Sequence, residues 1–425
     1  MKSRKQTIGL AYAATGGAKI FGALVQLAVL PIAAKALGVE AFGLLFTVAA
    51  LASFPLIAMA GFSPAASTLI AKAKASSEDD RVGGYFWSLW FWSVISGILL
   101  AVISYLALRS FALPGANDGH LALIFSLFIV SNFLAAPIEG TRAAFGETHY
   151  NSGFALLGSV VTLIVILIAP TGADTAYYFA AIYLVPVVVQ VLNLLLFVVQ
   201  RRSRIGMPRV DRAVRKEIME LLAANVQAQG GMVLYLHGGV YIMAITFGTA
   251  AVAVIGAFVR IAVLIHSLLL ALFAPVLPTL TQSVVQADRN WLNKAMRHLA
   301  LIAATILLAQ ATVTAFAGDR IAREFFQIAG DQSSNMFLAI ALFVFCYCAT
   351  HLLFLTRLAV THQDRRGSKI LVAAIIGLGV AITLAQNSAP LFLGIQAIAM
   401  ATIAMAVYGR DLWRVSKLEI SGARG

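Results

Sequence analysis

The stretch Gln200–Lys216, QRRSRIGMPRVDRAVRK, is the most polar part of the chain and divides it into two apolar halves. It holds seven of the 31 Lys and Arg residues, while six long apolar segments precede it and six follow it. A transmembrane helix needs about 20 apolar residues. The sequence therefore predicts an all-α polytopic membrane protein with about twelve transmembrane helices. These form one six-helix bundle at 1–199 and another at 218–425, joined by a basic cytoplasmic linker at 200–217.

The apolar segments are separated by short polar gaps, and several are longer than a bilayer requires, so these helices can tilt or project into water. Composition agrees, because 60% of the residues are hydrophobic and only 12% are charged. Soluble domains contain about 25% charged residues. The predicted spans are Ile8–Leu37, Ala41–Ala71, Gly83–Leu108, Leu121–Phe145, Gly153–Ala169, Ala176–Val199, Ile218–Phe247, Ala251–Val285, Leu299–Ala317, Met336–Val360, Ile370–Ala385 and Pro390–Tyr408.

The basic residues alternate between the gaps. The two termini and every second gap together hold 25 of the 31 Lys and Arg residues. The other gaps hold only Lys35, Arg109, Arg320 and Arg323. The positive-inside rule then predicts that both termini and the linker are cytoplasmic. The formal net charge of +13 lies mainly in these short loops, where it meets anionic lipid head groups, so no nucleic-acid partner is predicted.

The first span carries a lysine within its apolar length. Tyr12, Gly16, Lys19, Ala23 and Gln26 lie on one helical face and are small or polar, while the opposite face is aliphatic. A charge at bilayer depth costs about 2.5–3.5 kcal/mol on insertion scales, so such a residue usually faces a cavity or a partner. We predict that Tyr12, Lys19 and Gln26 line a wet cavity. The alternative is that Lys19 snorkels to the cytoplasmic head groups.

Arg260 lies deep within another span. It lies about ten residues from the outer start of the eighth span, and Ala253, Gly256 and Ser267 share its face. Arginine has no neutral form available, and this span contains no Asp or Glu, so Arg260 needs another acceptor. We predict a cavity-facing cation that binds an anion; the alternative is an arginine satisfied by carbonyl groups of a broken neighbouring helix. His266 lies roughly on the opposite face and is predicted to pack.

The seventh span presents amides and aromatic groups at helical spacing. Gln227, His237 and Tyr241 lie along one strip, and Asn225 and Gln229 lie beside it. Amides and aromatic rings hydrogen-bond to sugars and stack on them. We therefore predict that Gln227, His237 and Tyr241 contact a hydroxyl-rich ligand. Hydrogen bonding from helix to helix stays open as the alternative.

Glu139 is the acidic residue that falls clearly within a span, near the predicted cytoplasmic end of the fourth. Arg142 follows three residues later on the same face, which predicts an intrahelical ion pair. Two functional interpretations stay open. Glu139 is a candidate for coupling transport to a proton or cation, and Arg142 is a candidate for substrate binding.

Signatures of catalysis are missing from the sequence. There is no Walker A loop, no Asp cluster at a membrane face and no serine in a nucleophile elbow. Cys346 and Cys348 are two residues apart in a span and point to different faces, so they predict neither a disulfide nor a metal site. The chain is predicted not to be an enzyme and to need no cofactor.

The two halves share a weak internal pattern. Gly38 and Gly248 each follow an apolar helix and precede a long helix, which meets Pro64 in the first half and Pro275 and Pro278 in the second. Both halves start and end on the same side of the membrane. We therefore predict a parallel repeat, related by an axis along the membrane normal.

The stretch Ala34–Ala75, AKALGVEAFGLLFTVAALASFPLIAMAGFSPAASTLIAKAKA, resembles polysaccharide-biosynthesis flippases of the multidrug, oligosaccharidyl-lipid and polysaccharide exporter (MOP) superfamily. The eighth span, GAFVRIAVLIHSLLLALFAPVLPTLTQ, is similar as well, with Arg260 where an arginine often occurs and Pro278 near its end. The matching motifs of the first stretch are a leucine-glycine turn, an acidic residue, a phenylalanine-glycine pair, a glycine-x-serine-proline break and two basic residues: Leu37 with Gly38, Glu40, Phe42 with Gly43, Gly61 to Pro64, and Lys72 with Lys74.

The resemblance implies two six-helix bundles around a central cavity. It implies that the protein moves an undecaprenyl-pyrophosphate-linked oligosaccharide, by alternating access, from the inner to the outer leaflet of the bacterial cytoplasmic (inner) membrane. Lys19 and Arg260 suit this substrate, because Lys and Arg bind phosphate oxygens. Membrane lipids, glycan-assembly proteins and H⁺ or Na⁺ as coupling ion are the other partners that we expect.

Two other functions stay open: a small-molecule or drug antiporter of the same fold, and a membrane glycan polymerase or ligase. The drug-exporter branch usually places acidic residues in its membrane helices, whereas Glu139 stands alone here. The chain is also shorter than the fourteen-helix branch that flips peptidoglycan precursors. A polymerase is expected to have a large external loop, and the external connections here are short. The flippase is therefore the leading prediction.

Overall fold

The computed structural model describes residues 4–59, 61–75, 79–110, 119–170, 175–206, 215–273, 289–328, 334–361, 367–385 and 388–406. All regular elements among these residues are helical. Two π-helical turns, Leu234–Gly238 and Ile321–Phe325, follow α7 and α10. The α-helices are α1 (Arg4–Met59), α2 (Phe62–Ala75), α3 (Asp79–Ser110), α4 (Gly119–Ala144), α5 (Thr148–Leu167), α6 (Thr175–Ile205), α7 (Arg215–Val233), α8 (Gly239–Phe247), α9 (Thr249–Phe273), α10 (Arg289–Arg320), α11 (Ser334–Thr361), α12 (Gly367–Leu384) and α13 (Ala389–Ala404).

The helices coincide with the predicted spans. Within the described ranges, nine helical stretches are long and apolar enough to cross a membrane. The first of these, Ile20–Ala71, covers most of the first predicted span and all of the second. Two shorter apolar helices, Lys369–Leu384 and Ala389–Thr402, correspond to the last two predicted spans. Residues 274–285, the end of the eighth predicted span, lie outside the described residues. The all-α polytopic architecture predicted from the sequence is confirmed.

The chain divides into two compact helical units, Met1–Gly230 and Gly231–Gly425, here called unit 1 and unit 2. The division falls within α7, so the first part of this helix belongs to unit 1 although it follows the basic linker. Residues 207–214 of that linker lie outside the described residues. Its two ends continue α6 as far as Ile205 and open α7 at Arg215.

The two units have the same packing order. In unit 1, α3 packs on α4, while α4 and α5 both pack on α6. In unit 2, α10 packs on α11, while α11 and α12 both pack on α13. These three helix pairs of one unit thus have counterparts of the same chain order in the other. This agreement supports the parallel repeat that the sequence pattern predicts.

Gly38 and Gly248 have nearly the same backbone conformation. Gly38 has φ 73° and ψ 171°, and Gly248 has φ 83° and ψ 167°. This region of backbone conformation is essentially restricted to glycine. Gly38 interrupts α1 and divides it into two helical segments, and Gly248 separates α8 from α9. The internal pattern in the sequence therefore corresponds to a repeated turn.

Large aliphatic side chains cover the outer faces of several helices. On α3, Leu99 and Leu106 are each 58% exposed, as expected for a helix that lies against lipid. The interior of unit 1 is aromatic instead, and the side chains of Phe86, Phe133 and Phe197 are fully buried. The polarity of the surface is therefore that of a membrane protein.

The two ends of the linker are both attached to α3. The indole Nε1 of Trp87 donates a hydrogen bond to the backbone oxygen of Ile205 at 3.1 Å. The hydroxyl of Tyr85 donates to Oε2 of Glu217 at 2.8 Å. Ile218, the next residue of α7, is fully buried. The end of α6 and the start of α7 are thus held at the same helix.

Candidate functional site

A π-helical turn, Leu234–Gly238, interrupts the helix that α7 and α8 would otherwise form, and it carries His237. π-Helical turns inside α-helices occur frequently at functional sites. His237 is half-buried. The next residue but one, Gly239, lies so close to α13 that a Cβ there would be 2.6 Å from Oε1 of Gln396. A side chain at position 239 would therefore require the Gln396 side chain to move.

Arg260 lies on α9 and exposes its side chain, whereas residues 252–259 before it are buried. Its positive charge acts on His237, so α9 and the π-helical turn bring two of the predicted ligand residues into one neighbourhood. Tyr241 follows His237 by about one helical turn and is half-buried. We call Arg260, His237 and Tyr241 the Arg260 site.

The helices that form the Arg260 site contain no carboxylate, because no Asp or Glu occurs between Glu220 and Asp288. Arginine offers five N–H donors in a planar fork, and imidazole and phenol groups add further hydrogen-bonding capacity. The chemistry of the site therefore favours an anion with several oxygens. Across the described ranges, no group of three His, Cys, Asp or Glu residues is placed to hold a metal ion.

The other predicted ligand residues belong to unit 1. The side chains of Tyr12, Lys19 and Gln26 lie outside the described residues, although the backbone of α1 is described at these positions. Ala23, on the same face as Lys19, is 7% exposed, so the described part of this face is packed within the unit. Gln227 is exposed on the part of α7 that belongs to unit 1. Their roles as ligand contacts stay predictions.

The ion pair predicted between Glu139 and Arg142 is not formed, and this prediction is wrong. The Glu139 side chain is exposed, and its backbone oxygen accepts a hydrogen bond from Nδ2 of Asn151 at 3.1 Å. Arg142 is fully buried, with Nη1 3.8 Å from Oε2 of Glu147 and 3.4 Å from Oε1 of Gln200. Helical spacing alone favours Glu139, but the turn after α4 brings Glu147 to the buried guanidinium.

Glu147 is shared by two arginines. Nε of Arg201 donates to its Oε2 at 3.3 Å, and the Arg201 guanidinium also contacts the second carboxylate oxygen. Lys74 donates from Nζ to the backbone oxygen of Ala144 at 3.2 Å. We call Lys74, Arg142 and Arg201, together with Glu147, the basic cluster. It joins the ends of α2, α4, α5 and α6, and its burial gives Arg142 a structural role in this conformation.

A second polar group missed by sequence reasoning lies inside unit 2. Nε2 of His266 and Nδ1 of His351 are 2.7 Å apart, and their rings stack with centroids 4.7 Å apart. The ring of Tyr347 packs against both. His266 is buried, in agreement with its predicted packing role. The signal that could have revealed its partner was a second histidine in an apolar span, at a separation of 85 residues.

Solved structures of known proteins resemble this chain over almost its whole length, although no family model and no curated protein matches the sequence. An inward-facing multidrug resistance MATE family transporter of the MOP superfamily has a TM-score of 0.70 and 16% identity, with 97% of this chain and 96% of that chain covered. A MATE structure in complex with MaL6 has a TM-score of 0.69 and 16% identity, with coverages of 99% and 100%.

A MOP superfamily transporter from Pyrococcus furiosus is also similar, with a TM-score of 0.64, 15% identity and 96% of each chain covered. It is described as having a binding pocket of reverse polarity, which suggests a different function. At these identities the similarity establishes the fold and leaves the substrate open. The chain therefore has the fold of the transporters of the MOP superfamily.

Proposed function

We propose that this protein is a transporter that flips a lipid-linked oligosaccharide across the membrane by alternating access. The observation that carries the proposal is the Arg260 site, where an exposed arginine at bilayer depth acts on His237 among helices that contain no carboxylate. The diphosphate of an undecaprenyl-pyrophosphate-linked glycan is an anion that matches this charge.

The distribution of acidic residues in unit 2 supports an anionic substrate. Besides the stretch before Asp288, no Asp or Glu occurs at 289–318, 332–363 or 365–410. A transporter of cationic drugs is expected to offer carboxylates within its membrane helices, and unit 2 offers none there. The fold accommodates pockets of different charge, as the description of the Pyrococcus furiosus transporter indicates for that protein.

The sugar part of the substrate is assigned to polar and aromatic groups. Tyr241 and His237 beside Arg260, together with Gln227, are proposed to hydrogen-bond or stack on the glycan. Lys19, with Tyr12 and Gln26, is proposed as a second cationic contact for the diphosphate. Arg142 is proposed to act on the substrate only through the basic cluster, because its own side chain is buried.

A small-molecule or drug antiporter is the second candidate. The observation in its favour is that similar structures include a multidrug resistance MATE family transporter. Glu139 is its natural coupling residue, since it exposes a carboxylate on α4. In either function H⁺ or Na⁺ is the proposed coupling ion.

Deleting the gene separates the two candidates. If the protein is the flippase, lipid-linked repeat units accumulate in the inner leaflet and surface glycan is lost. Rising drug sensitivity with intact surface glycan would support the antiporter instead. The wild-type gene should restore export, and a stably inserted Lys19→Ala, Arg260→Ala double variant should not. Normal export by that double variant would rule out the cationic binding mechanism. Arg320→Ala is the matched control, because Arg320 is exposed and paired with Glu324 at the end of α10.

The proposed orientation places both termini and the linker in the cytoplasm, and the proposed location is the bacterial inner membrane. The charge distribution in the loops supports this orientation. A single cysteine at Ser203 should be labelled by a membrane-impermeant thiol reagent only after the membrane is opened, and labelling in intact cells would reverse the orientation.

A further inference from the structure

We propose that the basic cluster of unit 1 is a binding site for a phosphate group, distinct from the Arg260 site. Arg142 and Arg201 contact one carboxylate, that of Glu147, and the ammonium group of Lys74 lies nearby on the backbone oxygen of Ala144. The cluster therefore carries two more positive than negative charges. A part-buried cluster with this net positive charge lacks a balancing anion.

The buried member of the cluster points to the same conclusion. Arg142 is fully buried, yet its Nε and Nη2 atoms have no hydrogen-bond partner. Its single carboxylate contact is long, at 3.8 Å, and Arg201 shares that carboxylate. Unpaired donors on a buried guanidinium cost free energy, and further negative charge nearby offsets that cost. Arg142 thus adds positive electrostatic potential to the site from a buried position, whereas the more accessible members of the cluster can contact a ligand directly.

Lys74 and Arg201 are the groups that a ligand can touch. Both are only partly buried, and both lie against the ring of Phe145, at 4.5 Å and 5.3 Å from its centroid. The ring holds the two cations at one place on the surface. Lys74 uses one N–H bond for the backbone oxygen of Ala144, and an ammonium group has three donors. Donors therefore remain for phosphate oxygens.

A helix terminus adds to this potential. α5 begins at Thr148, directly after Glu147, and the Glu147 side chain does not cap it. The N-terminus of a helix carries about half a positive charge and favours phosphate groups. With the cations of the cluster, it makes this end of unit 1 an anion site. A phosphate group of a membrane lipid or of a soluble phosphate ester has the required chemistry.

The test is lipid binding to the purified full-length protein, measured by native mass spectrometry. Phosphatidylglycerol should bind more tightly than uncharged-head-group diacylglycerol by about tenfold or more, the value of one charge-assisted hydrogen bond. Lys74→Gln should remove about tenfold of that preference without touching Glu147. Arg201→Gln should do the same if the protein stays folded. Arg215→Gln is the matched control, since Arg215 lies beside Trp92 and outside the cluster.

Inorganic pyrophosphate distinguishes the two sources of phosphate. If pyrophosphate displaces the lipid in the wild type, the site accepts soluble phosphates as well as lipid head groups. If the lipid stays bound, the site is specific for a head group in the membrane. Equal binding of the charged and uncharged lipids, or a Lys74→Gln variant that binds phosphatidylglycerol like the wild type, overturns the proposal. The measurement requires no transport, so a failure of the proposed flippase function would leave it readable.

Discussion

Units 1 and 2 each contain an arginine within an apolar helix, and the two arginines differ in burial and in their neighbouring charges. Arg142 is fully buried on α4, with Glu147 within 3.8 Å. Arg260 is exposed on α9, in a region of the sequence without carboxylates. A buried charge needs a local counter-charge, whereas an exposed arginine keeps its guanidinium accessible. The same residue type thus has a structural role in unit 1, and in unit 2 it has the binding role that we propose.

The two arginines differ although the backbones of the two units are built alike. Both units turn at a glycine with the same backbone conformation, and both pack their later helices in the same order. The charged residues follow no such repeat. A duplicated helical unit can therefore keep its backbone while each copy acquires its own polar groups.

The largest effect is expected for the buried pair. Glu147→Gln leaves Arg142 and Arg201 without a carboxylate, and breaking a buried pair costs about 3–5 kcal/mol. The thermal unfolding midpoint of the purified protein in detergent should fall sharply. Adding Arg142→Met to Glu147→Gln should recover part of the loss, because it removes the uncompensated buried charge. If Glu147→Gln unfolds like the wild type, Arg142 is not held by this contact.

For Arg260→Ala we expect the protein to keep its stability and to lose transport activity. We expect the unfolding midpoint to stay close to that of the wild type, because the side chain is exposed. Transport should fall by about tenfold to a hundredfold, the value of a hydrogen bond to a charged group. Arg260→Lys should restore only part of it, since lysine keeps the charge and loses the planar fork. A variant that loses stability and transport together would place Arg260 in the same class as Arg142.

Substitutions at the two glycine turns test whether both units depend on the same backbone conformation. Gly38→Ala and Gly248→Ala should each destabilise the protein by about 1–3 kcal/mol, because alanine is strained in this backbone conformation. The controls are Gly153→Ala and Gly379→Ala, at positions where a Cβ meets no atom within 4 Å and φ is not positive. These should be neutral or slightly stabilising. A large loss at only one of the two turns would show that the units do not depend equally on this feature.

The smallest effect is expected for the exposed ion pairs at the end of α10. Arg320 and Glu324 are 3.0 Å apart at their closest polar atoms, and both side chains are mostly exposed. Such pairs contribute about 0–1 kcal/mol and are screened by salt. Glu324→Gln should therefore leave the unfolding midpoint nearly unchanged, in contrast to Glu147→Gln. A loss as large as that of the buried pair would mean that exposure does not separate the two classes of contact.

The fold could be predicted from the sequence because its signals are local and repeated. Twelve apolar segments, a basic linker and two glycine turns are each visible within a short window. The contacts of the polar residues depend instead on which helices meet. Periodicity within α4 selects Glu139 for Arg142, but a turn and a neighbouring helix supply Glu147 and Arg201. The pairing of His266 with His351 likewise joins α9 to α11 and leaves no local signal.

The Arg260 site depends partly on local sequence signals and partly on helix packing. The apolar surroundings of Arg260 and the spacing of His237 and Tyr241 single out these residues from the sequence alone, and their role as ligand contacts stays a prediction. Their proximity depends on how α9 packs beside the π-helical turn, and an apolar stretch does not reveal a π-helical turn. The sequence therefore nominates the residues of the site, and the structure supplies their arrangement.

The attachment of the linker ends to α3 bears on how the chain is made. Trp87 and Tyr85 donate hydrogen bonds to Ile205 and Glu217, and the buried face of unit 1 includes Ile218. A nascent chain that ends with α6 still lacks the contact with Glu217 and the buried side chain of Ile218. We therefore expect unit 1 to become stable only after the start of α7 has been synthesised. A fragment that ends at Gly230 should accumulate in the membrane, while one that ends at Val199 should be degraded.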